Sequence, residues 1–259
     1  MIILNRGNKK DTAALQEDPA AAAPAGFTTP AEISEELPEE EEEEVLRIPE
    51  ENIYSFLQGP KAWKKRKTWS GSWGKEYMDI GLKFGSFGCG HCCITNIYDT
   101  LSPYEISPID TYNFTRKNTV YYPTKKSGAI GWEAMSDSLD QMGIDCTLKR
   151  KPKDYSTFQY RMNESVCAVI LLLCEDPDAF WGEISGHYVV IWNYDPETDT
   201  VFLTNPGDYK LNRKTIPLRD CYDYLKGVSP FQILYIHGYD ENFDTWKPEK
   251  GISEKWISP

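Results

Sequence analysis

The sequence predicts an α+β domain that follows an acidic N-terminal tail. Three observations predict it. Apolar residues at helical spacing fall almost entirely before residue 143, and the runs rich in Val, Ile and Leu fall after residue 165. Hydrophobic residues make up 40% and aromatic residues 13% of 259, enough for a substantial core. Helices first and strands last is the pattern of an α+β domain; an α/β chain alternates the two. No segment recurs at the period of a solenoid or propeller.

Residues 1–50 hold 13 Asp/Glu against 4 Lys/Arg, so they carry −9 of the net charge of −12. They include an Ala/Pro segment from Pro19 to Pro30 and the run Glu39 to Glu44, a composition that buries too little apolar surface to offset the entropy of ordering. The expectation is a disordered tail, with a role as an acidic docking segment as the alternative. The near-neutral body argues against nucleic-acid and anionic-membrane binding. The longest apolar run, Val166 to Cys174, spans nine residues, against roughly 20 for a membrane-spanning helix. The first ten residues lack a secretory apolar stretch. Seven irregularly spaced cysteines do not read as a disulfide scaffold. A reducing cytoplasm is therefore expected, with non-classical export as the alternative. The domain is expected over 51–245, with a C-terminal extension over 246–259.

Order is expected to begin near Ile48 to Tyr54. Trp63, Trp69 and Trp73 alternate with basic and Gly/Ser residues; a nucleic-acid platform is conceivable, but packing anchors are the expected reading. Gly85 to Gly90 should break regular structure before Cys93, Ile94, Ile97 and Leu101, whose spacing is helical. Further helices are expected at Ser107 to Arg116, with Pro108 in the first turn, and at Ile130 to Met142, ending at Gly143. Strands are expected at Val166 to Cys174, His187 to Tyr194, Val201 to Thr204 and Gln232 to His237, with a helix at Leu218 to Lys226.

Cys89 lies at the loop-to-helix junction between Gly88 and Gly90. A thiol at the first turn of a helix is acidified by the macrodipole, and the local amides can stabilise an oxyanion. By itself the position also suits a buried structural cysteine. A base must come from three histidines. His91 lies roughly 200° around the helix from Cys89 and should point away, as a surface or packing residue. His237 ends a strand and reads as structural. His187 opens the apolar strand His187 to Trp192 after Gly186, at a strand mouth. Asp195 to Asp199 reads as a hairpin connection, so the return strand delivers Asn205 near His187, where an amide can orient the imidazole.

Phe87-Gly88-Cys89-Gly90, Gly186-His187-Tyr188-Val189-Val190 and Val201-Phe202-Leu203-Thr204-Asn205-Pro206 occur in an order that resembles the papain-like cysteine peptidases. The branch most similar is that of bacteriocin leader-processing (double-glycine) peptidases. The resemblance covers roughly residues 52–240. It implies a papain-like fold in which a helical N-terminal part, with the nucleophile helix, packs on a C-terminal antiparallel sheet. It also implies Cys89 as nucleophile, His187 as base and Asn205 as orienting residue, acting through a thioester acyl-enzyme on peptide or protein substrates. Family members place a glutamine upstream of the cysteine in the oxyanion hole; the nearest here is Gln58, 31 residues away.

Cys89-Gly90-His91-Cys92-Cys93 also resembles a papain-type signature in which the second cysteine reacts, which would make Cys92 the nucleophile. Cys89 is preferred, because the helical register sets Cys92 and Cys93 inside the helix. Zinc is disfavoured. The partners that Cys89 and Cys92 would need, Cys167 and Cys174, are seven apart on a strand and so face opposite ways. No metal or other cofactor is expected. An amidase, deamidase or acyltransferase, or a non-catalytic peptide-binding module of the same fold, are the alternatives.

Overall fold

A computed structural model describes residues 46–63, 68–124, 126–248 and 256–257. The acidic tail expected over 1–50 lies outside these residues except for its last five positions. Helices are α1 (Pro60–Trp63), α2 (Phe84–Phe87), α3 (Cys89–Leu101), α4 (Pro108–Asn118), α5 (Trp132–Gln141), α6 (Tyr155–Asn163) and α7 (Leu218–Asp223). Strands are β1 (Ser70–Gly71), β2 (Met142–Lys149), β3 (Cys167–Cys174), β4 (Ile184–Asp195), β5 (Thr200–Thr204), β6 (Lys214–Pro217), β7 (Ile233–Asp244) and β8 (Trp256–Ile257).

Strands β2 to β7 form one antiparallel sheet in the order β2-β7-β3-β4-β5-β6. Its central strands read as continuous apolar runs because both faces are covered. In β3, Cys167, Val169 and Leu171 join the core under α3, while Ala168, Ile170, Leu172 and Cys174 join the core under α6 and α7. A one-residue slip would exchange the two sets. This is the expected α+β architecture, a helical N-terminal part whose helix α3 packs on a C-terminal antiparallel sheet.

Each expected helix and strand is present, with ends displaced by a few residues. Ser107 and Asp110 form a reciprocal capping box at the start of α4, and Pro108 occupies its first position. Strand β7 runs seven residues past the expected His237 because β2, which sequence spacing did not reveal, pairs along it. Helix α6 and edge strand β6 were also unexpected; α6 buries only Phe158 and Met162, and β6 only Ile216. Gly85 to Gly90 was expected to be irregular, but Phe84–Phe87 makes a single helical turn ahead of α3.

The tryptophan-rich segment serves packing. Trp63, Trp69 and Trp73 are all buried, and the indoles of Trp63 and Trp73 both donate to the Leu57 carbonyl. At the C-terminal end, Trp246 stacks on Phe114 and Tyr98, and Trp256 packs edge-on against Phe56. All seven cysteines are free. Among the described residues no helix is long and apolar enough to cross a membrane.

Candidate active site

Helix α3 is buried along Cys89 to Asp99, so its N-terminus is fixed against the sheet. Cys89 is its first residue. The segment before α1 runs alongside, tied by the Tyr54 amide to Thr100 and the Phe56 amide to Asn96. It therefore reaches Gln58 as it approaches the Cys89 end.

Strand β4 supplies the next group. His187 sits near its mouth, and the following residues, Tyr188 to Ile191, are buried. The β4–β5 hairpin is closed by Asp195, whose carboxylate accepts from the Glu197 amide and the Thr198 hydroxyl. Val190 pairs with Thr204 and Ile191 with Leu203, a register that carries the chain past Asn205 to bring Gly207 opposite His187. His187 Nε2 lies 2.8 Å from Asn205 Oδ1, which also accepts from the Gly207 amide at 2.8 Å. That bond fixes the tautomer with hydrogen on Nε2 and leaves Nδ1 for the thiol. The Asn205 amide in turn donates to Asn212 Oδ1 at 2.8 Å, and Asn212 Nδ2 donates to the Ser55 carbonyl.

Burial by itself would push the Cys89 thiol up. The hydrogen bond and positive charge of His187, with the backbone amides of Tyr188 and Gly90, outweigh it and bring the thiol below its ordinary value. The α3 dipole acts in the same direction. Burial would likewise lower His187, but its bond to Cys89, the thiolate charge and Asn205 raise it above 6.5. The two shifts favour a thiolate–imidazolium pair.

Cys92 and Cys93 behave oppositely. Both are fully buried within α3, and burial, then the charge of Cys89, pushes both thiols well above the ordinary value. His91 is buried among Phe84, Tyr112 and Tyr121, with ring centres 5.1–5.9 Å away, and burial pushes its pKa down to about 3. It is a neutral packing residue. His237 is exposed and bonds Thr147 through Nε2 at 3.0 Å.

Gln58 is far from Cys89 in sequence but tied to the same site. Its amide donates to the Pro206 carbonyl at 2.9 Å, and its Nε2 donates to the Gly85 carbonyl at 3.1 Å. The intervening residues make a detour that returns on itself: a Cβ on Gly59 would lie 2.6 Å from the Gly85 Cα, so the two backbones are in contact. A carboxamide nitrogen has two hydrogens. One is used on Gly85, which leaves the second available.

Cys167 and Cys174 lie on opposite faces of the sheet, and among the described residues no cluster of three or more His, Cys, Asp or Glu side chains could hold a metal ion. Sequence reasoning missed Gly207, Asn212 and the Tyr188 amide. The last two act through contacts that no local motif marks, whereas Gly207 stands two residues beyond Asn205 and follows from the hairpin register.

No family model matches the chain, and no curated protein matches it. Among solved structures, it is similar to the N-terminal peptidase C39-like domain of the toxin secretion ATP-binding protein from Vibrio parahaemolyticus. That match is 14% identical with a TM-score of 0.32, and spans 57% of this chain and 91% of the other. It is also similar to a protein from Bacillus anthracis described as a C39-like peptidase, at 12% identity and a TM-score of 0.36, over 59% of this chain and 90% of the other. Neither likeness, at these values, assigns an activity to this chain.

Proposed function

We propose that the protein is a cysteine peptidase with Cys89 as nucleophile, His187 as acid and base, and Asn205 as the residue that orients His187. The observation that carries this reading is a buried thiol whose acidity is increased by an imidazole that a 2.8 Å bond to Asn205 holds in one tautomer. A merely structural buried cysteine would be pushed the other way, as Cys92 and Cys93 are.

The thiolate attacks the peptide carbonyl, forming the S–C bond and a tetrahedral oxyanion. First-turn amides of α3 and the second hydrogen of Gln58 Nε2 supply its donors. His187 gives its proton to the leaving amine as the C–N bond breaks, producing a thioester. It then takes a proton from water, which attacks the thioester; the C–S bond breaks, releasing the acid and restoring the thiolate–imidazolium pair. Chemistry needs the thiolate and the imidazolium together. Activity is therefore expected to fall as pH drops through the lowered Cys89 value and as pH rises through the raised His187 value.

The test is a thiol-directed peptidase probe with the adduct mapped by mass spectrometry. Labelling at Cys89 that collapses in His187→Ala is expected. Labelling at Cys92 instead, or a rate unchanged in His187→Ala, overturns the assignment.

A further inference from the structure

Beside the Asn205 loop lies a cleft of about 410 Å3 whose lining includes Leu57, Trp69, Tyr209, Lys210, Arg213 and Lys214. No triad residue lines it, but it adjoins the site along the chain and through Asn212, which accepts from the Asn205 amide. Leu57 precedes Gln58, and Tyr209 follows Gly207 by two residues, so it lies within about 8 Å of the glycine that touches the His187 ring. Because His187 must protonate the leaving amine, a wall that continues from Gly207 is on the leaving-group side of the scissile bond.

The lining has three cations and no carboxylate. Neither Lys210 nor Lys214 forms an ion pair with a described residue. Arg213 donates to the Ile53 and Glu50 carbonyls and lies over the rings of Trp69 and Phe202 at 5.6 and 5.2 Å. The nearest carboxylates are outside the lining: Glu50 and Glu51 beside Arg213, and Asp208, which accepts from the Lys210 amide. Trp69 is 8% exposed, and its Nε1 has no partner among the described residues. Trp69 and Arg213 both have left-handed backbones, φ 62° and 58°. Bulky residues rarely adopt that region, and such a conformation persists only where the surrounding structure fixes it.

We propose that this cleft binds acidic side chains of a peptide substrate, on the leaving-group side of the cleaved bond; the statement of side rests on the peptidase reading above. Lys210 and Lys214, both exposed, supply mobile point charges to a carboxylate.

Two experiments on the full chain test it separately from the chemistry. In the first, a peptide library is digested and the residues following the cut are read. Asp and Glu should be enriched at the first few positions, and the enrichment should vanish in Lys210→Glu/Lys214→Glu. Cleavage without acidic preference, or with the same preference in that variant, overturns the proposal. In the second, a fluorescein-labelled hexaglutamate peptide is titrated against Cys89→Ala and followed by anisotropy. Charge reversal of both lysines should weaken binding about tenfold or more, the sum of two exposed pairs lost and two repulsions gained. Should that variant unfold, Lys210→Gln/Lys214→Gln should weaken binding by roughly half that factor on a logarithmic scale. No binding, or affinity unchanged by either pair, overturns the proposal. Hexaglutamate binding without any library cleavage would leave the cleft standing and sink the peptidase reading.

Discussion

Gly207→Ala tests whether the imidazole is held by its surroundings as tightly as the geometry requires. The glycine is outside the left-handed region, so alanine is compatible with its backbone, and the change isolates one contact. A Cβ there would lie 2.7 Å from both Cε1 and Nε2 of His187, whereas ordinary van der Waals contact begins near 3.5 Å. The ring or the loop must therefore retreat by about 0.8 Å. The Nε2 to Asn205 bond starts at 2.8 Å, and the same retreat takes it to the limit of a useful hydrogen bond. Misplacement on that scale costs about a hundredfold in rate. A thiol that loses its imidazolium returns towards a pKa of about 8.5, leaving about 0.3% thiolate at pH 6. The assay is the rate of Cys89 carbamidomethylation from pH 4 to 10, which needs no knowledge of the substrate. The wild-type rate should rise at lower pH than that of an ordinary thiol, and the variant's midpoint should move up towards 8.5. An unchanged pH profile in Gly207→Ala would show that His187 does not control the thiol, and the triad reading would fall with it.

Three further outcomes are expected. Gln58→Ala should lower kcat/KM by about 10²- to 10³-fold, the usual cost of an oxyanion donor, while the Cys89 alkylation profile stays as in wild type; equal loss in both would make Gln58 a positioning residue. Cys92→Ser should retain probe labelling at Cys89, since the Cys92 thiol is buried and its pKa raised; loss of all labelling in a folded Cys92→Ser would move the nucleophile. His91 should make stability depend on pH: its folded pKa of about 3 lies below the unfolded 6.5, so the unfolded chain binds the proton first. Stability is lost as pH falls from 6.5 towards 3, by about 2 kcal/mol at pH 5. Urea unfolding of His91→Leu at pH 7 and pH 5 should show that difference removed, and a slope equal to wild type would place the burial penalty elsewhere.

What was legible in the sequence depended on how locally each signal is written. Strands β3 and β4 announce themselves because each is buried on both faces and so carries an unbroken apolar run. Strand β2 carries no such run: Ile144, Cys146 and Leu148 alternate with Asp145, Thr147 and Lys149 on a half-buried strand that starts directly at the end of α5. Helix α6 rests on two buried side chains four residues apart, too few to set a period. The same distinction runs through the site. His187 and Asn205 could be placed together because one hairpin joins them, and a hairpin register is short-range information. Gln58 reaches the site only because the tryptophan-rich detour closes through the contact of Gly59 with Gly85, a long-range packing event with no spacing to betray it.

The choice of Cys89 over Cys92 turns on a difference of three residues along one helix. Both have the same chemistry and the same helix dipole nearby. Cys89 is at the first position, where it receives the Tyr188 and Gly90 amides and the imidazole from β4. Cys92 is one turn deeper, in the core under the sheet, where its charge would meet no donor and would repel Cys89. Because the core that buries Cys92 also fixes the N-terminus of α3, the apolar packing that silences one thiol holds the other at the mouth of β4.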